Sequence, residues 1–395
     1  MKYFLVSLIF LGFAVQAAEV DKLYYAEVPV ESRSQGDRNQ AIINGFKLML
    51  VKVTGNRNMA NQKMFSSVFK NTSRYVQQYR YKVREKTIMI EDDAGASVET
   101  LVDKSYLQVF FDKPAVDRML RSKGLAVWGK SRPQVLAWVG LDDQVKRRFL
   151  MSDDNDRILS ELARLANNRG IPFVLPLMDL EDQSAVSESD LWGGFDNTIR
   201  QASERYDADS ILTIRLKLLS KGFWQSEWTL IDKDVKQNWS VENNNINLVL
   251  SDGVQKMADL IAQSYAPSAG GSAQVVNIQV SRVNGFESFL KVQEFIQSQE
   301  SVKDFQVREM KNDNVVFMLN LRGGFESFNQ AISLSSFLAL DDTIRSTARS
   351  VPTVEVVETV KVVNSTEKNP QVIEDPVVSA TSLPLNDVQF YYYIR

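Results

Sequence analysis

The chain holds neither cysteine nor histidine in its 395 residues, and this pair of absences limits both what it can fold into and what it can do. No disulfide can staple a small framework, so every domain needs an ordinary apolar core. At 44 % hydrophobic content and this length, two or three such cores are expected. The missing side chains also remove the commonest zinc ligands, the Ser-His-Asp and Cys-His nucleophile arrangements, and histidine acid–base work. Carboxylates, Lys, Tyr, Ser and Thr remain for catalysis, and oxygen ligands remain for hard metals. No cofactor is expected. A formal charge of −3 points to no nucleic-acid partner at the level of the whole chain.

The amino terminus reads as an address. Lys2 precedes an uncharged apolar run from Tyr3 to Val15, and Val15-Gln16-Ala17 supplies the small residues of a cleavage site. The run is shorter than the ~20 residues of a bilayer span. Residues 1–17 are therefore expected to be a cleaved signal peptide, which places the mature protein in the periplasm with no transmembrane segment.

Periodicity divides the remainder into consecutive α/β modules, an α+β architecture of mixed sheets with helices packed on them. Residues 18–130 form an N-terminal module: a strand at Leu23–Val30, a helix from Asp37, and a second helix with Phe65, Val68, Phe69, Thr72, Val76 and Tyr79 on one face. Strands at Lys86–Glu91 and Tyr106–Phe111 and a helix at Ala115–Ser122 follow. Residues 131–266 read β-α-β-α-β-β-β-α, with strands at Pro133–Leu141 and Ile171–Leu180 and a helix carrying Leu191, Trp192, Phe195, Ile199, Ala202 and Tyr206. Residues 267–273, rich in Ser, Gly and Ala, are a linker. Residues 274–341 read β-α-β-β-α-β, the ferredoxin-like order. Residues 342–395 lack a helical period and are expected to be mostly disordered. The end is different: Val388, Phe390, Tyr391, Tyr392, Tyr393 and Ile394 make an apolar strand-former, which either pairs with the protein's own sheet or is offered to a partner.

Several blocks carry a resemblance: Val53-Thr54-Gly55-Asn56-Arg57, Arg74 to Tyr81, Val127-Trp128-Gly129 with Arg132-Pro133, Arg169-Gly170-Ile171-Pro172, and Ala202 to Tyr206. In these the first two modules resemble the bacterial exported family catalogued as domain of unknown function 2066. That resemblance implies export in a Gram-negative bacterium and no particular activity. The middle module also loosely resembles the amino-terminal domain of TolB and related envelope lipoprotein domains, which implies binding as its work.

Four patterns suggest chemistry, and each has a plainer reading. Asp179, Glu181 and Asp182 follow a strand end, where carboxylates can hold a hard cation, yet they also suit a solvated loop. Trp224 and Trp228, an even number apart on one strand, suit a sugar-stacking platform or a core. Lys63 to Lys86 interleaves cations with aromatics, a pattern for anionic head groups or for an amphipathic surface. Ser67-Val68-Phe69-Lys70 matches Ser-x-x-Lys, but Ser365-Thr366-Glu367-Lys368 matches equally well. The expected function is a non-enzymatic envelope adaptor whose partners are periplasmic or membrane proteins, with membrane-surface contact also open. The alternative is a glycan-binding or glycan-hydrolysing protein using a pair among Asp179, Glu181, Asp182 and Asp190.

Overall fold

The computed structural model describes residues 20, 22–91, 97–151, 157–267, 273–322, 324–341 and 388–395. It is an α+β protein with three sheets, and the chain divides into two compact units. The first takes the chain up to residue 273 together with 299–301 and 322–336, and the second takes 274–298, 302–321 and residues from 337 onward. The expected signal peptide and the tail from 342 to 387 lie outside the described residues, as does most of the expected linker.

The N-terminal module opens with β1 (Tyr25–Val30), in which Ala26, Val28 and Val30 alternate into the core. Helix α1 (Gln35–Thr54) starts where the Ser34 side chain accepts from the Asp37 N–H, and it ends at Gly55 in the left-handed region, φ 72°. Its buried face, Ile42, Phe46, Met49, Leu50 and Val53, packs on one side of the sheet. The short helix α2 (Ser66–Phe69) is followed by a hairpin of β2 (Val76–Glu91) and β3 (Ser97–Phe111), and α3 (Lys113–Ser122) closes the module. The sheet order is β1-β3-β2. β1 pairs with Ser105 to Phe110 alone, whereas β2 and β3 stay paired out to Glu91 and Ser97. The hairpin thus runs on well past its third strand.

One expectation fails in this module. The helix expected through Val76 and Tyr79 is a set of short turns up to Tyr75 and then a strand. From Tyr79 onward the true period is two: Tyr79 and Tyr81 point to the α1 side, and Arg80, Lys82 and Arg84 alternate away. Positions 76 and 79, three apart, fit a helical period, and in the strand they reach the same face only through the register shift between Val76 and Gln78; the cations on alternate residues from Arg80 were the decisive signal.

The middle module contains β4 (Val135–Asp142), β5 (Arg147–Phe149), α4 (Arg157–Arg169), β6 (Phe173–Val174), α5 (Leu180–Ala185), α6 (Glu188–Gly193), α7 (Asp196–Ser203), β7 (Ser210–Leu218), β8 (Trp224–Asp232), β9 (Val235–Asn243) and α8 (Ile246–Tyr265). Its mixed sheet has the order β5-β4-β7-β8-β9, with β6 also beside β4. β4 is parallel to β6 and β7, and β7, β8 and β9 are antiparallel. Helices α4 and α8 cover one face, over Ala137, Val139, Leu212, Ile214, Trp228 and Leu230. On the other face Leu136, Trp138 and Phe149 pack with Leu191, Ile199 and Ala202 of α6 and α7. Because both faces of β4 are covered, its residues are apolar without alternation. Two details differ from the sequence reading. Ile171–Leu180 yields a strand of two residues, since Pro172 and Pro176 offer no N–H. The expected helix through Tyr206 breaks into α6, α7 and a final turn, because Gly194 takes φ 70°.

Next come β10 (Gln274–Ser281), α9 (Gly285–Ser298), β11 (Val302–Lys311), β12 (Asn314–Leu321), α10 (Phe325–Ser333), β13 (Leu338–Leu340) and β14 (Phe390–Ile394). The β-α-β-β-α-β order is present, although α10 groups with the first unit. In the second unit the sheet order is β11-β12-β10-β14-β13. The C-terminal strand is therefore inserted between β10 and β13.

Candidate functional site

Three of the sequence blocks named above, at 53–57, 127–133 and 169–172, meet in a buried knot of cations in the first unit. Lys52, Arg132 and Arg169 are each 4 % exposed or less. Arg132 donates to five main-chain carbonyls: Nη2 to Lys52 at 2.8 Å and Trp128 at 2.9 Å, Nε to Gly129 at 2.9 Å, and Nη1 to Gly170 at 3.2 Å and Arg169 at 3.4 Å. Its guanidinium lies 3.9 Å from the centre of the Trp128 ring. Arg169 Nη2 donates to Gly55 O at 2.9 Å and pairs with Asp259 at 2.8 Å. Lys52 Nζ donates to the carbonyls of Lys22 and Tyr25, at 3.3 and 3.2 Å. Burial, followed by the charge of Arg132, pushes the Lys52 ammonium down to about 8. Gly55 and Gly170 belong to the same knot: a Cβ on either would stand 2.8 Å from a carbon of Trp128 or of Lys52. Most of these donors are turned onto main-chain carbonyls, and Arg169 also reaches the side chains of Gln255 and Asp259, so the knot joins the N-terminal and middle modules.

The acidic set is also occupied. Asp179 caps α5 by accepting from the Asp182 N–H at 3.1 Å, and its two oxygens accept from Arg205 at 2.8 and 2.9 Å. Asp182, 1 % exposed, accepts from the Met178 N–H at 2.8 Å, from Arg205 at 3.1 Å and from the Tyr206 hydroxyl. Glu181 stays largely in solvent, 3.5 Å from Arg205. Asp190 forms a capping box with Ser187 at the start of α6. Among the described residues no group of three or more acidic side chains is placed to hold a metal ion. The Arg205 guanidinium holds the Asp179 carboxyl down to about 2, and the Ser187 hydroxyl holds Asp190 below the usual range. A glycan hydrolase needs one carboxyl kept protonated, the opposite shift.

A pH dependence follows. The folded carboxyl of Asp179 sits at about 2, against ~3.9 in an unfolded chain. The folded state therefore binds fewer protons in that window, and the contribution of Asp179 is complete above pH ~4 and lost as pH falls toward 2. Urea unfolding across this range should show a smaller acid slope in Arg205→Ala than in the parent. An unchanged slope would mean the pair contributes nothing.

Trp224 and Trp228 do share one strand face, but it is the face under α8. Trp228 is 1 % exposed, donates Nε1 to Ser226 Oγ at 2.8 Å and stacks on Trp239 with ring centres 5.8 Å apart. Trp224 packs against the same core. The Trp228 ring is covered by protein, and the Trp224 ring is half-buried against the same core. The C-terminal residues are similarly engaged. Phe390, Tyr391, Tyr392 and Tyr393 pair in parallel with Ile278 to Ser281, and Ile394, Tyr393 and Tyr392 pair antiparallel with Leu338 to Leu340. Tyr392 is fully buried, and Val388 leads into the strand. Of the two alternatives for this segment, the protein uses its own sheet.

Sequence reasoning missed a cleft of about 420 Å³ on the other face of the middle sheet, beyond the reach of α7. Arg215 and Thr213 of β7, Glu227 of β8, Asn238 and Lys236 of β9, and Asp196 of α7 line it. Arg215 bridges Glu227 at 2.7 Å and donates to the Trp192 carbonyl at 3.0 Å, and Lys236 pairs with Asp196. The available signal was the alternation of polar side chains at 213, 215, 227, 229, 238 and 240 opposite a Leu/Ile/Trp face. At the rim of the cleft, β9 is the sheet's edge.

Known proteins place only part of this chain. Residues 17–129 match a family described as Domain of unknown function (DUF8605). That match covers the N-terminal module. It supports an uncharacterised domain, and the family it names is not the 2066 family of the sequence resemblance. No curated protein matches the chain. Among solved structures it is similar to the Protein Y N-terminal domain of Thermus thermophilus, at 10 % identity and TM-score 0.18, over 34 % of this chain and 98 % of that one. It is also similar to the LpoB C-terminal domain of Salmonella enterica, at 18 % identity and TM-score 0.20, over 33 % and 91 %. A competence-damaged protein (CinA) superfamily member of Escherichia coli matches at 11 % identity and TM-score 0.19, over 37 % and 86 %. Likenesses this slight carry no argument about function.

Proposed function

We propose that this protein is a non-enzymatic adaptor of the cell envelope, exported through a cleaved leader, that binds an extended segment of another envelope protein along the free edge of β9. The observation that carries this reading is the edge itself. β9 pairs with β8 in unbroken register from Val235 to Asn243, and no further strand flanks it among the described residues. Of the other sheet edges, those of β1, β5, β11 and β13 are blunted, whereas the β2–β3 hairpin stays unpaired on its outer sides beyond β1 among the described residues. β1 contains Pro29, β5 and β13 are three residues long, β11 has two register shifts, and β2 has one and carries Arg80, Lys82 and Arg84. β9 has neither proline nor bulge, so its outer N–H and C=O groups can accept a strand. The cleft beside it offers Asn238, Ser240 and the Arg215–Glu227 pair to alternate side chains of that strand. The resemblance of the first two modules to the exported 2066 family, and of the middle module to the TolB amino-terminal domain, supports the same compartment and mode of action.

Photo-crosslinking in intact cells tests this reading. A benzophenone side chain at Gln237 or Ser240 should yield the same defined envelope-protein adduct, absent when the probe stands at exposed Glu294 of α9. Recovery of monomer alone from both β9 positions would remove the edge from consideration.

A further inference from the structure

Among the described residues, the hydrophobic core under α1 takes in none of the side chains on the opposite face of the N-terminal sheet, and those side chains are not those of a neutral solvated surface. Three rows cross it: Tyr25, Phe110 and Gln78; Glu27, Gln108 and Arg80; Pro29, Tyr106 and Lys82. Arg84 and Lys104 form a further pair. Tyr25 and Phe110 contact at 5.0 Å between ring centres. Arg80 stands 5.5 Å from the Phe110 ring, Arg84 5.6 Å from Tyr106, and Lys22 5.9 Å from Tyr25.

Glu27 is the acid at the centre of these rows, and it is already engaged. It accepts from Arg84 at 2.7 Å, from Gln108 at 2.6 Å and from the Tyr25 hydroxyl at 2.9 Å. Arg80, Lys82, Lys104 and Lys22 have no carboxylate within 4.0 Å among the described residues, and all four are exposed. A chain of net charge −3 thus gathers uncompensated positive charge on one sheet face and interleaves it with partly exposed aromatic rings.

We propose that this face is the contact of the N-terminal module with an anionic lipid surface. Cations spread over two strands and a preceding turn, rather than along the walls of a groove, match a surface of head groups better than a single threaded polyanion. Tyr and Phe side chains beside Arg and Lys are the residue types that settle at the head-group level. Alternate residues on β2 place Arg80 and Lys82 ~7 Å apart, so that each meets its own phosphate. The contact is independent of the β9 edge, which lies in a different module.

The test is co-sedimentation of the mature chain with vesicles of phosphatidylcholine alone or mixed with phosphatidylglycerol. Binding is expected to the mixed vesicles only, and to weaken steeply between 50 and ~500 mM salt. Lys82→Ala with Lys104→Ala, both exposed, should weaken it about 25-fold, fivefold for each charge removed. The thermal midpoint of the double variant is expected to match the parent. Should it fall, the salt titration of the unaltered protein decides the matter. Equal binding to both vesicle types, salt-insensitive binding or full affinity in a folded double variant would overturn the assignment. So would binding to heparin or single-stranded DNA without binding to vesicles, or a dimer in solution that the double variant dissociates.

Discussion

Arg132→Ala is expected to destabilise the first unit by about 3–5 kcal/mol, the loss typical of removing one side of a buried charged network. The side chain is 2 % exposed and its donors reach five carbonyls drawn from residues 52, 128, 129, 169 and 170. Truncation would strand those acceptors in a site too enclosed for bulk water, and it would also remove the guanidinium stacked on Trp128. Arg132→Lys should recover less than half of the loss, because one ammonium cannot reproduce a planar fork aimed at several acceptors. Urea midpoints followed by circular dichroism measure both effects. Arg164→Ala, which breaks only a surface pair with Glu161, serves as the reference and should cost ~0.5 kcal/mol or less. A loss at Arg132 no larger than at Arg164 would mean that the knot does not join the two modules.

Gly253→Ala should also destabilise, against the usual sign for a helix interior. Alanine gains ~1 kcal/mol over glycine in helix propensity. At this position, however, the new Cβ would stand 2.0 Å from Cζ2 and 2.2 Å from Cε2 of Trp228. The indole cannot easily retreat, since Nε1 is bonded to Ser226 and the ring is stacked on Trp239. Overpacking of this severity costs ~3 kcal/mol or more, which leaves a net loss of about 2 kcal/mol. Pairing the change with Trp228→Leu should return part of that loss, and a double-mutant cycle reads the coupling. A stabilised Gly253→Ala protein would show that α8 stands farther from β8 than described.

Both positions illustrate what a single sequence conceals. Gly253 sits in a helical period and looks like a minor blemish, and its reason is a tryptophan some 25 positions earlier on another element. Arg132, just before the strand expected from Pro133, is among the most enclosed large side chains in the protein, and nothing beside it in the sequence says so. Asp179, Glu181 and Asp182 look like a cation site until Arg205 and Tyr206 are brought to them from beyond two helices. Trp224 and Trp228 satisfy the spacing of an exposed platform, and only the placement of α8 decides which face is covered. The cleft is composed of commonplace Thr, Asn, Ser, Lys and Glu residues. No motif marks it, because its shape arises where the covering helices stop.

Local information determined a good deal. The Ser34 and Asp112 caps, the left-handed glycines at 55, 170 and 194, and the two- and 3.6-residue periods are contained in short stretches, so most strands and helices and the α+β class were legible in the sequence. The side-chain inventory likewise settled the absence of disulfides and of histidine or cysteine chemistry. Tertiary structure decided the rest: that β2 continues where a helix was expected, that β14 enters the middle of its own sheet, and that the glycine and arginine blocks at 53–57, 127–133 and 169–172 meet in one knot. These outcomes depend on pairings between residues distant along the chain, and the free energy of such a pairing belongs to both partners at once. Neither partner's neighbourhood in the sequence contains it.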